Sequence, residues 1–275
     1  MRHIRYLAIA FVVVSSIVTY AHAASKAALG AFDIEHRGRN LGETHSLSVL
    51  VEAIKKQGLK KNEFETTDQY QARLAAIRLP GNLPLNATIA IKFSTDQIAP
   101  FCGNKFNADT RELIMSCEFG SQRLFLDSIH PGALQAWTVG MASSKDVGTY
   151  NGANAFGVSR KIVKRVAYGR GLAFDNFQDA TTGDRANYLR KLELIVPEIS
   201  VERARSLVGT MGVVFIADLT SPFFVSESRK DTPTLSDPMD FNGQYDFLYV
   251  HLRQMWLVDL KSGEVLQRFD NVRNV

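Results

Sequence analysis

Beyond residue 23 the chain carries histidine at His36, His45, His130 and His251. No two of them lie three to five residues apart, so the helix-borne histidine pair of a zinc hydrolase is excluded. A metal centre would have to gather its ligands from distant segments. The glycines form neither a phosphate-binding loop nor a dinucleotide fingerprint, and no serine sits in a nucleophile elbow. The sequence therefore names no catalytic residue, no metal ligand and no cofactor. A hydrolase whose site is assembled by the fold stays open, because catalytic triads are defined by geometry rather than by order along the chain.

Three groups of residues have chemistry suited to binding. Residues 148–157 mix aromatics, amides and glycines, and Tyr150, Asn151, Asn154 and Phe156 could grip a sugar, a peptide or a base edge. The same composition also builds a plain loop or bulge, with Asn and Gly in left-handed conformations. Arg160, Lys161, Lys164 and Arg165 follow at once, with Arg170 further on. That density of cations suits lipid head groups, lipopolysaccharide or nucleic acid, and equally a solvated strand face. Tyr249, His251 and Arg253 alternate along the last long strand, on the face opposite its apolar one. They line a ligand groove there, or lie under a helix or at the solvent boundary. Asp231, Asp237 and Asp240 share a polar loop but lack the spacing and closing glutamate of a calcium hand.

The chain that must position these residues begins as an export signal. Arg2 and Arg5 precede an apolar run over residues 7–18, and Ala21-His22-Ala23 supplies small residues where a signal peptidase reads. Cleavage is expected after Ala23, which places the protein in the periplasm or the medium. The alternative is an uncleaved anchor over residues 6–25, and no later stretch is long and apolar enough to span a membrane. Removing Arg2 and Arg5 with the signal lowers the formal net charge from +4 to +2. So small an excess makes no strong case for nucleic acid as partner. The 45% hydrophobic and 22% charged composition is that of a globular chain, and it carries no signal for an oligomeric state. In an oxidising compartment the two cysteines, Cys102 and Cys117, are expected to bridge across a hairpin whose tip lies near Asn104, Asn107 and Asp109.

Residues 24–43 read as a loose leader. Leu47, Leu50, Val51 and Ile54 then form one helical stripe, capped by Ser46 or Thr44. Thr66 and Gln69 have the spacing of a capping box for a second helix, which ends before Pro80-Gly81. Alternation predicts strands over 87–93, 113–119, 123–129 and 133–141, separated by turns at Gly120-Ser121 and Pro131-Gly132. Residues 158–168 read as a strand, with a helical stripe as the alternative. A strand at 192–196, a short helix after Ser200 and a strand over 211–219, stopped by Ser221-Pro222, come next. A polar loop is expected over 226–243. Leu248, Val250, Leu252, Trp256, Val258 and Leu260 then predict one apolar face, interrupted only by Gln254, and 265–269 return as a hairpin. The expected fold is α+β: an N-terminal helical pair on a mostly antiparallel, curled or sandwich-like sheet. It forms one domain over 24–275, with the pair at 44–79 and a β-rich body at 83–275.

Glu63-Phe64-Glu65-Thr66-Thr67 with Tyr70 and Arg73, and Asn154-Ala155-Phe156-Gly157, resemble motifs of uncharacterised exported proteins of Gram-negative bacteria. The resemblance implies a periplasmic setting and no activity, ligand or catalytic residue. The function expected is that of an exported, non-enzymatic protein binding an envelope protein or surface component. The alternatives are an exported hydrolase, or an assembly factor that pairs an exposed strand edge with another protein.

Overall fold

The computed structural model describes residues 29–35, 38–98, 102–125, 133–153, 156–176 and 189–269. The expected signal segment, the first residues of the leader and Asn154 lie outside the described residues. In chain order the elements are α1 (Leu47–Lys55), α2 (Thr67–Ala76), β1 (Arg78–Leu79), β2 (Leu83–Pro84), β3 (Thr88–Ser94), α3 (Thr95–Ile98), β4 (Cys102–Asn107) and β5 (Glu112–Phe125). They continue with β6 (Ala133–Ala153), β7 (Ser159–Phe174), β8 (Leu189–Val196), α4 (Val201–Leu207), β9 (Met211–Asp231), β10 (Met239–Asp259) and β11 (Glu264–Phe269). The protein is α+β. Its main sheet has nine strands in the order β3-β9-β10-β7-β6-β5-β4, with β11 also on β10 and β8 also on β5. Every pairing is antiparallel except β7 with β10.

Local chemistry sets the helices. The Ser46 hydroxyl accepts from the Val49 N–H and starts α1, whose Leu47, Leu50, Val51 and Ile54 are buried. Thr66 and Gln69 form the reciprocal capping box of α2. Ser200 accepts from the Arg203 N–H and starts α4, and Gly209, at φ +78°, follows its end. These helices cover one face of the sheet, where Leu74, Ala204 and Leu207 join Ile89, Ile91, Phe93, Val213, Phe215 and Leu257 in the main core.

The other face is covered by the leader, which is not loose over its described part. The Phe32 N–H donates to Thr88 O at 2.8 Å and the Leu41 N–H to Gly263 O at 2.7 Å. Phe32, Ile34 and Leu41 pack on Ala90, Val214, Ile216, Trp256 and Val258, with Phe32 edge-on to Trp256 at 5.6 Å. His45 fastens this strap. Its Nδ1 accepts from the Ala90 N–H at 3.1 Å, so Nε2 carries the proton and donates to Gly30 O at 2.9 Å.

Several expected boundaries move. β5 runs unbroken through Gly120-Ser121, and β6 continues through residues 148–153. Residues 158–168 lie almost wholly within strand β7. β9 does not stop at Ser221-Pro222: Leu219 pairs with Val250 and Phe224 with Leu248, so residues 220–223 bulge opposite Tyr249 and the strand resumes. Proline is tolerated at such a bulge because it interrupts no ladder bond there. The expected loop over 226–243 shrinks to 232–238, since β9 reaches Asp231 and β10 starts at Met239. A second bulge between Leu252 and Gln254 splits the expected apolar face. Leu248, Val250 and Leu252 face the main core, whereas Trp256 and Val258 face the strap.

Cys102 and Cys117 are Cα partners across β4 and β5. Directly opposed residues of an antiparallel pair lie about 4.5–5.5 Å apart, the span a disulfide needs. Among the described residues no cysteine is free.

Candidate functional site

Among the described residues the sheet divides into a covered body and an uncovered arm. β3 pairs with β9 only over 212–218, and β5 pairs with β6 only over 133–138. Beyond those levels, among the described residues, four strands continue alone, in the order β9-β10-β7-β6. They are two long hairpins joined side by side by the parallel β7–β10 ladder. The ladder starts at Met239 opposite Val163, and the Val163 N–H donates to Pro238 O at 3.0 Å, so both hairpin loops lie at the same end. Helix α1 clamps the base of the arm: Glu52 pairs with Arg170, and the Lys55 Nζ lies 2.8 Å from Asp246 Oδ2. Asp246 Oδ1 also accepts from the Ser226 hydroxyl at 2.8 Å. Gly140 and Gly171 face each other where arm meets body, and a Cβ on Gly171 would lie 2.2 Å from Val139 O.

Of the first two groups of sequence candidates, Tyr150, Asn151, Phe156, Arg160, Lys161 and Lys164 lie towards the end of the arm, whereas Arg170 stands at its base. The Tyr150 hydroxyl donates to Asp240 Oδ2 at 3.3 Å, and the Lys164 Nζ lies 5.1 Å from the Tyr150 ring centroid. Partial burial, followed by the Asp240 charge, raises the Tyr150 hydroxyl above its ordinary pKa. Gly152 leaves room for Ile162, whose Cδ1 would lie 2.3 Å from a Cβ there. Asn151, Arg160, Lys161 and Lys164 are exposed. Arg165 is engaged on the opposite face, with its Nε 2.7 Å from Asp146 Oδ1, and that guanidinium holds the Asp146 carboxyl below the usual range. Phe156, a sequence candidate, is 91% exposed, and the loops add two apolar side chains that the candidates omit, Val158 at 48% and Leu235 at 45%. Leu235 was legible as the single large apolar residue within 232–238, and the link of Asp240 to Tyr150 only through their contact.

The third group lies elsewhere. Nine residues separate Asp240 from Tyr249, about 30 Å along a strand. Tyr249 is buried with Ala173, Val225 and Phe247, and burial, then the Asp175 charge, pushes its hydroxyl pKa up. The His251 Nδ1 lies 2.9 Å from Asp175 Oδ1, and the Arg253 Nε 3.5 Å from Asp218 Oδ2. The Thr88 hydroxyl donates to Asp218 Oδ1 at 2.6 Å. Thr88, Asp218 and His251 are successive cross-strand partners, so Thr88 stands two strand spacings, about 10 Å, from His251. The result is a row of separate pairs rather than a nucleophile against a base.

Asp231 pairs with Arg229, Asp240 takes the Tyr150 hydroxyl, and the Asp237 N–H bonds Thr234 Oγ1. Among the described residues no three His, Cys, Asp or Glu gather as a metal site. The residues of the first motif act on one another: Arg73 binds Glu65 through Nε at 2.8 Å and donates to Lys60 O at 3.0 Å, and the Tyr70 hydroxyl bonds Leu59 O. Arg73 holds the Glu65 carboxyl down at about 2. Phe64, 90% exposed, is presented outward by that turn.

No family model, no curated protein and no solved structure matches this chain.

Proposed function

We propose that this is an exported, non-enzymatic protein that engages a cell-envelope component through its four-stranded arm. The observation that carries the reading is the exposure of large apolar side chains at the end of an arm that is rigidly paired and clamped at its base. Scattered exposed apolar residues are ordinary, but several at one projecting end mark a contact surface. The export signal and a Cys102–Cys117 disulfide, proposed from the strand register, support an envelope or extracellular setting. The free edges of β6 and β9 count against strand pairing with another protein. The β6 edge carries a bulge at 146–148, and the β9 edge carries Pro222, Arg229 and Lys230.

A photo-crosslinking residue placed at Tyr150, and in parallel at exposed Val208 just past α4 of the body, tests the reading in intact Gram-negative envelopes. Adducts are expected from Tyr150 and not from Val208. Equal adducts from both positions, or none from Tyr150, would refute it.

A further inference from the structure

Taking the arm as the contact element, we propose that its end docks on a bilayer that displays anionic phospholipid headgroups. Phe156 and Val158 lie in one loop and Leu235 in the other, and all three are exposed at the same end. Leu235 is held outward by a tight turn, in which the Thr234 N–H donates to Asp237 O at 2.8 Å and the Asp237 N–H to Thr234 Oγ1 at 2.9 Å. Behind this apolar end stand Arg160, Lys161, Lys164 and Lys230, all exposed and, among the described residues, in no ion pair. Of the neighbouring carboxylates, Asp146 pairs with Arg165 and Asp231 with Arg229, while Asp240, bonded to the neutral Tyr150 hydroxyl, and the exposed Asp237 keep two negative charges against those four cations. The end therefore presents apolar groups in front and net positive charge behind. That order matches a membrane interface, where apolar groups enter the acyl boundary and cations meet the phosphates. A protein partner fits less well. A stable protein interface covers about 800 Å² on each side, and two narrow loop tips offer no such flat or concave area.

The test is flotation of the chain from Ala24 onward, which keeps every described residue. Vesicles of phosphatidylethanolamine with phosphatidylglycerol are compared with vesicles of phosphatidylcholine alone. The protein is expected to float with the anionic vesicles only, and to be released at high salt as screening shortens from about 8 Å to about 3 Å. Replacing Phe156→Ser and Leu235→Ser together is expected to weaken binding at least about tenfold, from the lost apolar burial. Arg160→Gln with Lys161→Gln is expected to cost about fivefold per cation. An unchanged melting temperature shows that each variant is folded. Failure to float with anionic vesicles, or undiminished flotation of the folded Ser variant, would overturn the proposal. If vesicles fail while Tyr150 still crosslinks to an envelope protein, the lipid inference falls and the arm reading stands. If both fail, the arm reading falls too.

Discussion

β9 and β10 each run through two different environments. Over 211–219, β9 is almost wholly buried, with helices on one side and the strap on the other. Over 226–231 it is mostly exposed, held by ladder bonds to β10 and by surface pairs such as Arg229–Asp231. β10, an inner strand, changes less: Met255–Asp259 are buried and Met239–Gln244 mostly half-buried. The chain composition follows: Val213, Val214, Phe215 and Ile216 inside the body, Ser226, Ser228, Arg229 and Lys230 on the arm. Body residues set stability, and arm residues are free to be chosen for contact.

That division predicts effects of very different size. Phe215→Ala, which empties a packed site between Phe93 and Phe174, is expected to cost about 3–5 kcal/mol in a urea titration. Phe156→Ala on the arm is expected to stay within about 0.5 kcal/mol, and a large loss there would break the comparison. Reducing the proposed Cys102–Cys117 bridge is expected to remove about 3 kcal/mol, measured as the shift in midpoint on adding reductant. Gly171→Ala, at the junction, forces a backbone clash and is expected to cost about 1–3 kcal/mol. Hydrogen exchange should place that loss in β6 and β7 and spare β3.

The strap offers a pH test. Burial holds the His45 imidazole below its ordinary pKa of 6.5, and its hydrogen bond to the Gly30 carbonyl opposes that shift only in part. The native state therefore binds fewer protons there than the unfolded chain. Its contribution is complete above about pH 6.5 and is lost as the pH falls through the depressed native value. Protonation removes the Nδ1 lone pair that receives the Ala90 N–H. Urea midpoints should fall between neutral and mildly acid pH in the natural protein and fall less in His45→Gln. Parallel pH profiles for the two would contradict the assignment. The smallest effect is expected for Asp146→Asn, which removes an exposed pair on the arm and should leave the melting temperature nearly unchanged.

Locally encoded features were legible in advance. Ser46, Thr66 with Gln69, and Ser200 each bond within their own turn, so spacing alone located α1, α2 and α4. Features made by distant partners were not. Pro222 reads as a terminator, yet it sits in a bulge whose shape depends on β10. Gln254 looks like a flaw in one apolar face, whereas a bulge turns that face over beside it. The leader looks loose because its partners, Thr88 and Gly263, are far along the chain. The arm depends on the parallel pairing of β7 with β10, which no local pattern announces. Hence Tyr150 and Lys164 were found as candidates, while Asp240 and Leu235 were not joined to them.

The most direct test of the division measures two quantities on one variant. Phe156→Ser with Leu235→Ser should sediment with Gram-negative envelopes at least about tenfold less than the natural protein, at an unchanged melting temperature. Envelope binding that is undiminished, or that falls only in step with the melting temperature, would contradict the assignment of contact to the arm and stability to the body.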